Sequence, residues 1–297
     1  MIRPTLDDML ELLPAALVAA GVLLAVALSP WRKNAHVLDI AGALAFGGAF
    51  AWGFKRLSDW PHFPPLQSTE RVFWCVLAAG AVGIAESPFW EKRPWTARFF
   101  RVPAVLYLLR QILDRPIQKE WTGVETATYL AAFGAALWLW WVVVKEIAAK
   151  RAGLVLIAFS TALGAAGLVW GSYGGAFIGQ LGGTLSLAAG LALPFVAFCP
   201  RAAIGRGAVA VLTIAAFGLG FNAQVSLIDT PPITVQLLLA LLPLLPAIAL
   251  VPALAEKRPR TAQLTALVLI LAVTVGALWI AATAAPPPIE DPYEEYK

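Results

Sequence analysis

The chain has 297 residues, of which 60% are hydrophobic and 13% charged, with a mean hydropathy of +0.75. Soluble domains carry about 45–50% apolar and about 25% charged residues, and a larger core still needs a wettable cover, so a water-soluble globule is excluded. The net charge of +4 comes from short basic clusters between apolar runs, not from a long arm or stripe; these read as topology signals and exclude a nucleic-acid partner.

In chain order, the amino terminus sets Arg3 against Asp7, Asp8 and Glu11, an acidic start unlike the basic n-region of a cleaved signal peptide. A retained first span over 9–29 follows, with Arg32 and Lys33 behind it. Further apolar runs cover 37–54, 72–90, 123–144, 153–171, 176–198, 208–228, 233–254 and 262–284. Each approaches the roughly 17–25 residues needed to cross hydrocarbon, and none alternates as a barrel strand would. The fold class expected is all-α, a polytopic transmembrane helical bundle of about ten spans.

The tenth span is the segment 97–113, which contains Pro103 and carries Arg101 and Arg110 near its ends. Read alone, it also suits an amphipathic helix lying in the interface. Charge decides for a crossing. With it, one side holds Arg32, Lys33, Lys92, Arg93, Arg98, Arg101, Lys145, Lys150, Arg151, Arg201, Arg206, Lys257, Arg258 and Arg260. The other keeps only Arg3, Lys55, Arg56, Arg71, Arg110, Arg115, Lys119 and Lys297. Without a crossing, every later loop changes sides and the excess disappears. The positive-inside rule then places the chain in the inner (cytoplasmic) membrane with both termini outside the cytoplasm, and Arg101 and Arg110 are expected to snorkel to opposite interfaces.

Tryptophans support the same frame. Trp31, Trp90, Trp95, Trp138, Trp140 and Trp141 fall near the inner interface, and Trp52, Trp60, Trp74, Trp121, Trp170 and Trp279 toward the outer one, as an aromatic belt requires. The connection 55–71, with Trp60-Pro61-His62-Phe63-Pro64-Pro65 at its centre, is expected to be stiff and to lie against the membrane. Two domains result: a transmembrane helical domain over 1–284 and a disordered, acidic, Pro-rich tail over 285–297. Cys75 and Cys199 have no ligand spacing and read as packing residues. No internal repeat supports an inverted-repeat transporter.

The most informative stretch runs from Ser172 to Ser186. Gly175, Gly179 and Gly183 recur every four residues, as do Gly182, Ser186 and Gly190, and each set makes a smooth helical stripe. Such stripes suit close helix packing, with Gln180 bonding across helices; the alternative is a ligand pressed on bare backbone. A second polar patch is Asn222, Gln224, Ser226 and Asp229. At the same depth lie Tyr173 and Gln180, on the glycine run, and Tyr107 with Arg110. Together they form a candidate polar cavity open to the outside. Water near the interface offers the plainer explanation.

Glu86 is read at the inner interface near Lys92 and Arg93, with a proton relay as the alternative. Pro243, Pro246 and Pro252 should kink their helix. Catalytic and metal-binding patterns are not found: no HExxH, DxD, Gly-Lys-Ser/Thr or G-x-S-x-G is present, and Asp291 to Glu295 lacks calcium-loop spacing. His36 and His62 fall on opposite faces. No cofactor is therefore expected.

The run from Gly171 to Gly182, which reads Gly-Ser-Tyr-Gly-Gly-Ala-Phe-Ile-Gly-Gln-Leu-Gly, and the segment from Phe221 to Leu238 resemble a group of uncharacterised multi-spanning membrane proteins of planctomycete-type bacteria. The resemblance extends from about Trp95 to the acidic tail. It implies a multi-spanning fold and no activity. The function expected is a non-catalytic structural or interaction component of the membrane, with the lipid bilayer and other membrane proteins as partners. The alternatives are a carrier for a small neutral or amphiphilic solute and, behind it, a lipid-modifying enzyme.

Overall fold

The computed structural model describes residues 6–90, 94–198, 205–227, 229–251 and 259–285, and every element within them is helical. A helix bonds its own backbone within one segment, which is what an apolar solvent demands. The elements are α1 (Leu6–Leu28), a 3-10 turn (Pro30–Lys33), α2 (Ala35–Leu57), α3 (Ser68–Ala85) and the short α4 (Ser87–Trp90). Then come α5 (Pro94–Phe99), α6 (Arg101–Ile112), α7 (Asp114–Lys119), α8 (Gly123–Ser172), α9 (Ala176–Phe198) and α10 (Arg206–Ser226). Last are α11 (Ile233–Leu241), its 3-10 continuation (Leu242–Leu250) and α12 (Pro259–Ala284). Local chemistry sets several starts. Asn34 Oδ1 accepts from the His36 and Val37 amides to open α2, and Thr122 with Glu125 forms a capping box on α8.

Seven helical stretches among the described residues are long and apolar enough to cross a membrane: 35–57, 68–89, 123–172, 176–195, 206–226, 233–250 and 259–284. The apolar part of α1, 12–28, is shorter. The fifty residues of α8 are not one rod. Arg151 has φ −139° and ψ 51°, outside the helical region, and the Trp140 and Phe159 rings lie 5.9 Å apart. In a straight helix positions 140 and 159 stand about 28 Å apart, so α8 folds back into two antiparallel arms at Arg151. The connection expected over 145–152 shrinks to that break.

The segment 97–113 is interrupted at Phe100, where α5 gives way to α6. Twelve residues of α6 reach about 18 Å, well short of a hydrocarbon core. Pro103 sits in the first turn of α6, where a missing N–H costs nothing. In the stretch 233–250, Pro243 and Pro246 lack the donors an α-helix needs, and the backbone tightens to 3-10 geometry from Leu242 onward. Pro252, Cys199 and the tail beyond Ala285 lie outside the described residues.

Helix α10 is the centre of the bundle, packed on α2, α3 and the arms of α8, with an almost unbroken buried run from Gly207 to Ala215. At the periphery, Leu264, Val268, Leu271, Val275 and Trp279 line one exposed face of α12. Their spacing of three and four marks a single apolar stripe, and an apolar stripe turned outward is the surface that lipid covers.

Candidate functional site

The densest chemistry lies at one end of the bundle. Glu86, the residue after α3, and Arg101, the first of α6, form a two-pronged pair: Nε donates to Oε2 at 2.8 Å and Nη2 to Oε1 at 3.0 Å. Neither side chain has any exposed surface. The guanidinium also lies over the Trp141 ring, 5.0 Å from its centroid. Beside this pair, Asp39 near the start of α2 accepts from the Arg206 backbone amide at the start of α10 and, at 3.4 Å, from its Nη1. Arg206 Nη1 donates as well to the Ser87 carbonyl at 2.9 Å. Buried Lys145 approaches Glu146 at 3.6 Å, and Glu146 meets Arg98 at 3.7 Å.

Six helices, α2, α3, α5, α6, α8 and α10, are thus joined pairwise by charge where apolar packing alone would leave their ends free to slide. Burying an ion is expensive unless its partner lies within hydrogen-bond reach, and the bidentate geometry supplies that partner twice over. One expectation changes here. Arg101 does not snorkel, because Glu86 and the Trp141 face hold it inside. Glu86 is the fully buried partner of Arg101, while Lys92 and Arg93 lie outside the described residues. Asp39 is not singled out from the sequence; an acid inside the apolar run 37–54 is the signal that could have marked it.

At the opposite end, the polar residues of the expected cavity divide into separate sets. Asn222 is buried; its Oδ1 accepts from Ser226 Oγ at 2.8 Å, and Ser226 meets Ser68 of α3 at 3.2 Å. Gln224 turns away from them and accepts from Gln236 Nε2 of α11 at 2.9 Å. Positions two apart on a helix point to different faces, so these amides cannot line one wall. Tyr173 is buried and donates to the Ala281 carbonyl of α12 at 3.1 Å. Arg110 is exposed and donates to Asp114 at 2.6 Å, where Arg71 adds a second contact at 3.0 Å. Tyr107 and Asp229 are exposed. Gln180 is half-buried, and its carbonyl accepts from Thr184 Oγ1 at 2.9 Å. Asn222 Nδ2 is buried and makes no hydrogen bond among the described residues.

The glycine run closes the second arm of α8 onto α9. A Cβ on Gly179 would lie 2.5 Å from the Gly167 carbonyl oxygen, and one on Gly167 would lie 2.6 Å from that of Gly179. Gly182 meets the Leu163 carbonyl and the Trp170 ring in the same way, and Gly175 meets the Trp170 carbonyl and Leu227. Ser186 and Ser160 exchange bonds, each hydroxyl donating to the other's carbonyl at 2.7 and 2.9 Å. Gly190 faces Ser160 more loosely, and the space beyond Gly183 is bounded by Leu12 of α1 at 3.9 Å. The tight turn between α8 and α9 is made by Gly174, whose φ of +87° suits glycine.

At the Asn222 end of the bundle, the loop after α2 is tied down by Glu70. Its carboxylate accepts from the His62 ring at 2.7 Å and from the His62, Leu66 and Gln67 amides at 3.2, 2.7 and 3.1 Å. Trp74 Nε1 donates to the His62 carbonyl at 2.9 Å. The tryptophans expected in an aromatic belt divide by exposure. Trp31, Trp52, Trp60, Trp95 and Trp279 are exposed, whereas Trp140, Trp141 and Trp170 are buried among helices. Trp140 instead donates to the Ala240 carbonyl at 2.9 Å. His36 and His62 flank the two ends of α2, about 35 Å of helix apart. Among the described residues no three His, Cys, Asp or Glu side chains come together as a metal site would require. Cys75 is buried and unpaired.

Helix ends joined by charge, a glycine seam and an outward apolar stripe define an all-helical protein with several helices fit to cross a bilayer. No family model, curated protein or solved structure matches the chain.

Proposed function

We propose that the chain is a ten-span protein of the inner membrane, with both termini outside the cytoplasm, and that it acts as a non-catalytic structural or interaction component among lipid and other membrane proteins. The fold-back of α8 counts as two crossings, α1 as a further one, and α5 with α6 as the short tenth. The excess of Lys and Arg on one set of loops gives the orientation. The observation that carries the functional reading is the Gln224–Gln236 bridge at 2.9 Å. A solute pathway would keep these amides facing a shared space; here they join helices, as do Ser160, Ser186 and Tyr173.

A carrier for a small neutral or amphiphilic solute is the second reading, and one feature favours it: the fully buried Glu86–Arg101 pair. Charges kept inside a membrane protein mark functional sites more often than scaffolds. The discriminating experiment is cysteine accessibility from each side, in a background with Cys75 and Cys199 replaced. Single cysteines go to Gln180, Asn222, Gln224, Lys119 and Lys150. Labelling of position 119 from outside and 150 from inside is the expected pattern, with silence at 180, 222 and 224. Reversed sidedness would overturn the topology. Outside labelling at all three amide positions would replace the structural reading with the carrier.

A further inference from the structure

We infer that the loop between α2 and α3 is a wedge that inserts Phe63 and Leu66 below the headgroups of the adjacent bilayer leaflet, with the glycerol and upper acyl region of the lipid as its partner. This inference rests on the reading of the chain as a membrane-spanning protein. Phe63 and Leu66 are 76% and 70% exposed, and Trp60 on the same loop is exposed as well. Water opposes so much apolar surface on one loop, whereas lipid accepts it.

Trp74 sets the depth. The Phe63 ring packs edge-on against it with centroids 5.3 Å apart, and Trp74 Nε1 donates to the His62 carbonyl at 2.9 Å. Trp74 lies about 9 Å along the axis from Ser68, the first residue of α3, and a helical side chain leans back over the preceding turn. His62 and Phe63 therefore sit about 4–9 Å below the start of α3, on its flank and not above it. The crossing stretch 68–89 is about 33 Å long against a hydrocarbon core of about 30 Å, so this depth falls at the boundary between headgroups and acyl chains.

The backbone chemistry fits the same place. Non-helical backbone close to hydrocarbon needs its N–H and C=O groups satisfied within the protein. Glu70, buried in the first turn of α3, accepts from the His62, Leu66 and Gln67 amides, and Trp74 serves the His62 carbonyl. A loop standing in water would have solvent for these groups. The same bonds hold the loop in one shape, so insertion costs little further ordering. Trp60 supplies an indole, the side chain best suited to headgroup level.

The test uses the full chain with Cys75 and Cys199 replaced, reconstituted in vesicles of phosphatidylglycerol and phosphatidylethanolamine. A nitroxide label goes on single variants Phe63→Cys, Leu66→Cys, Asp59→Cys and Val268→Cys, the last on the outward stripe of α12. Collision with oxygen, which concentrates in hydrocarbon, is compared with collision with a water-soluble nickel chelate. The expected oxygen-to-nickel ratio is several-fold higher at 63 and 66 than at 59, an exposed position of the same loop, and approaches that at 268. Glu70→Gln added to Leu66→Cys should bring the ratio down toward that at 59; an unchanged ratio would overturn the tethering by Glu70. Should Phe63→Cys or the Glu70 variant not fold, Leu66→Cys alone decides the matter. A ratio at 66 no higher than at 59 would place the loop in water and overturn the wedge. Shielding of 63 and 66 from both reagents would overturn lipid as the partner in favour of a covering protein surface, such as a second copy of the chain. Free access of nickel at 268 would instead overturn the membrane-spanning reading beneath the wedge.

Discussion

Glu86 and Arg101 face each other through two hydrogen bonds, at 2.8 and 3.0 Å, with both side chains wholly withdrawn from the surface. Each makes the other's burial possible, since either charge alone in an apolar interior lacks the solvent that would stabilise it. The pair joins the end of α3 to the start of α6, the short helix whose Val105, Leu108, Leu109 and Ile112 are buried against the bundle.

Arg101→Met should therefore lower stability by about 3–5 kcal/mol, because it strands the Glu86 carboxylate. Adding Glu86→Leu should recover much of that loss. Thermal unfolding of the three variants in one detergent checks this; a double variant as unstable as the sum of the singles would show that the two residues do not act as a pair.

Gly179 has no room for a methyl group. Gly179→Ala sets a Cβ against the Gly167 carbonyl at 2.5 Å and should destabilise the α8–α9 contact by about 1–3 kcal/mol. Gly48→Ala in α2, where nothing lies within 4 Å, should be neutral or stabilising by up to about 1 kcal/mol. Comparing the two melting temperatures separates steric closure from helix propensity. Equal effects would mean the helices are not in close contact.

The Gln224–Gln236 bridge should show a coupling energy of about 0.6–1.7 kcal/mol in a cycle of the two single Leu substitutions and the double one. Additive losses would mean that the amides do not meet.

Asp114 lies beyond the end of α6, where burial raises its pKa but hydrogen bonds from Arg110 and Arg71 outweigh that and hold the carboxyl below its ordinary value of 3.8. A carboxyl depressed in the folded state contributes stability above its unfolded pKa and loses it as pH falls through the folded one. The unaltered chain should lose its advantage over Asp114→Asn as the pH is taken from neutral to below about 4. The two stability curves should run parallel above about pH 4, and curves that stay parallel well below it would rule the contribution out.

Much of the helix plan was legible without coordinates. Apolar runs and the prolines at 243 and 246 act within a few residues of themselves, so sequence order alone locates α2, α8, α9, α10 and the departure from α-helix after α11. The site was less legible. Glycine spacing foretold a close seam at Gly175, Gly179 and Gly182, but the seam's partner, Gly167, sits on the second arm of α8 and declares nothing by itself. Trp140 and Trp141 read as belt residues because their position along the helix suits an interface; their rotation toward the core depends on what packs beside them.

What the sequence by itself determined is the solvent and the secondary structure: too few charges for water, and runs long enough that only helices could satisfy the backbone in lipid. What only the tertiary structure decided is which polar groups meet. Asp39 and Arg206 are 167 residues apart in the chain, and of two amides two residues apart, Asn222 bonds Ser226 on its own helix while Gln224 reaches Gln236 of α11. The physical reason is range. Hydropathy and capping are summed along a segment, whereas an ion pair or an amide bridge forms only where packing sets helical phase and brings distant turns within about 3 Å.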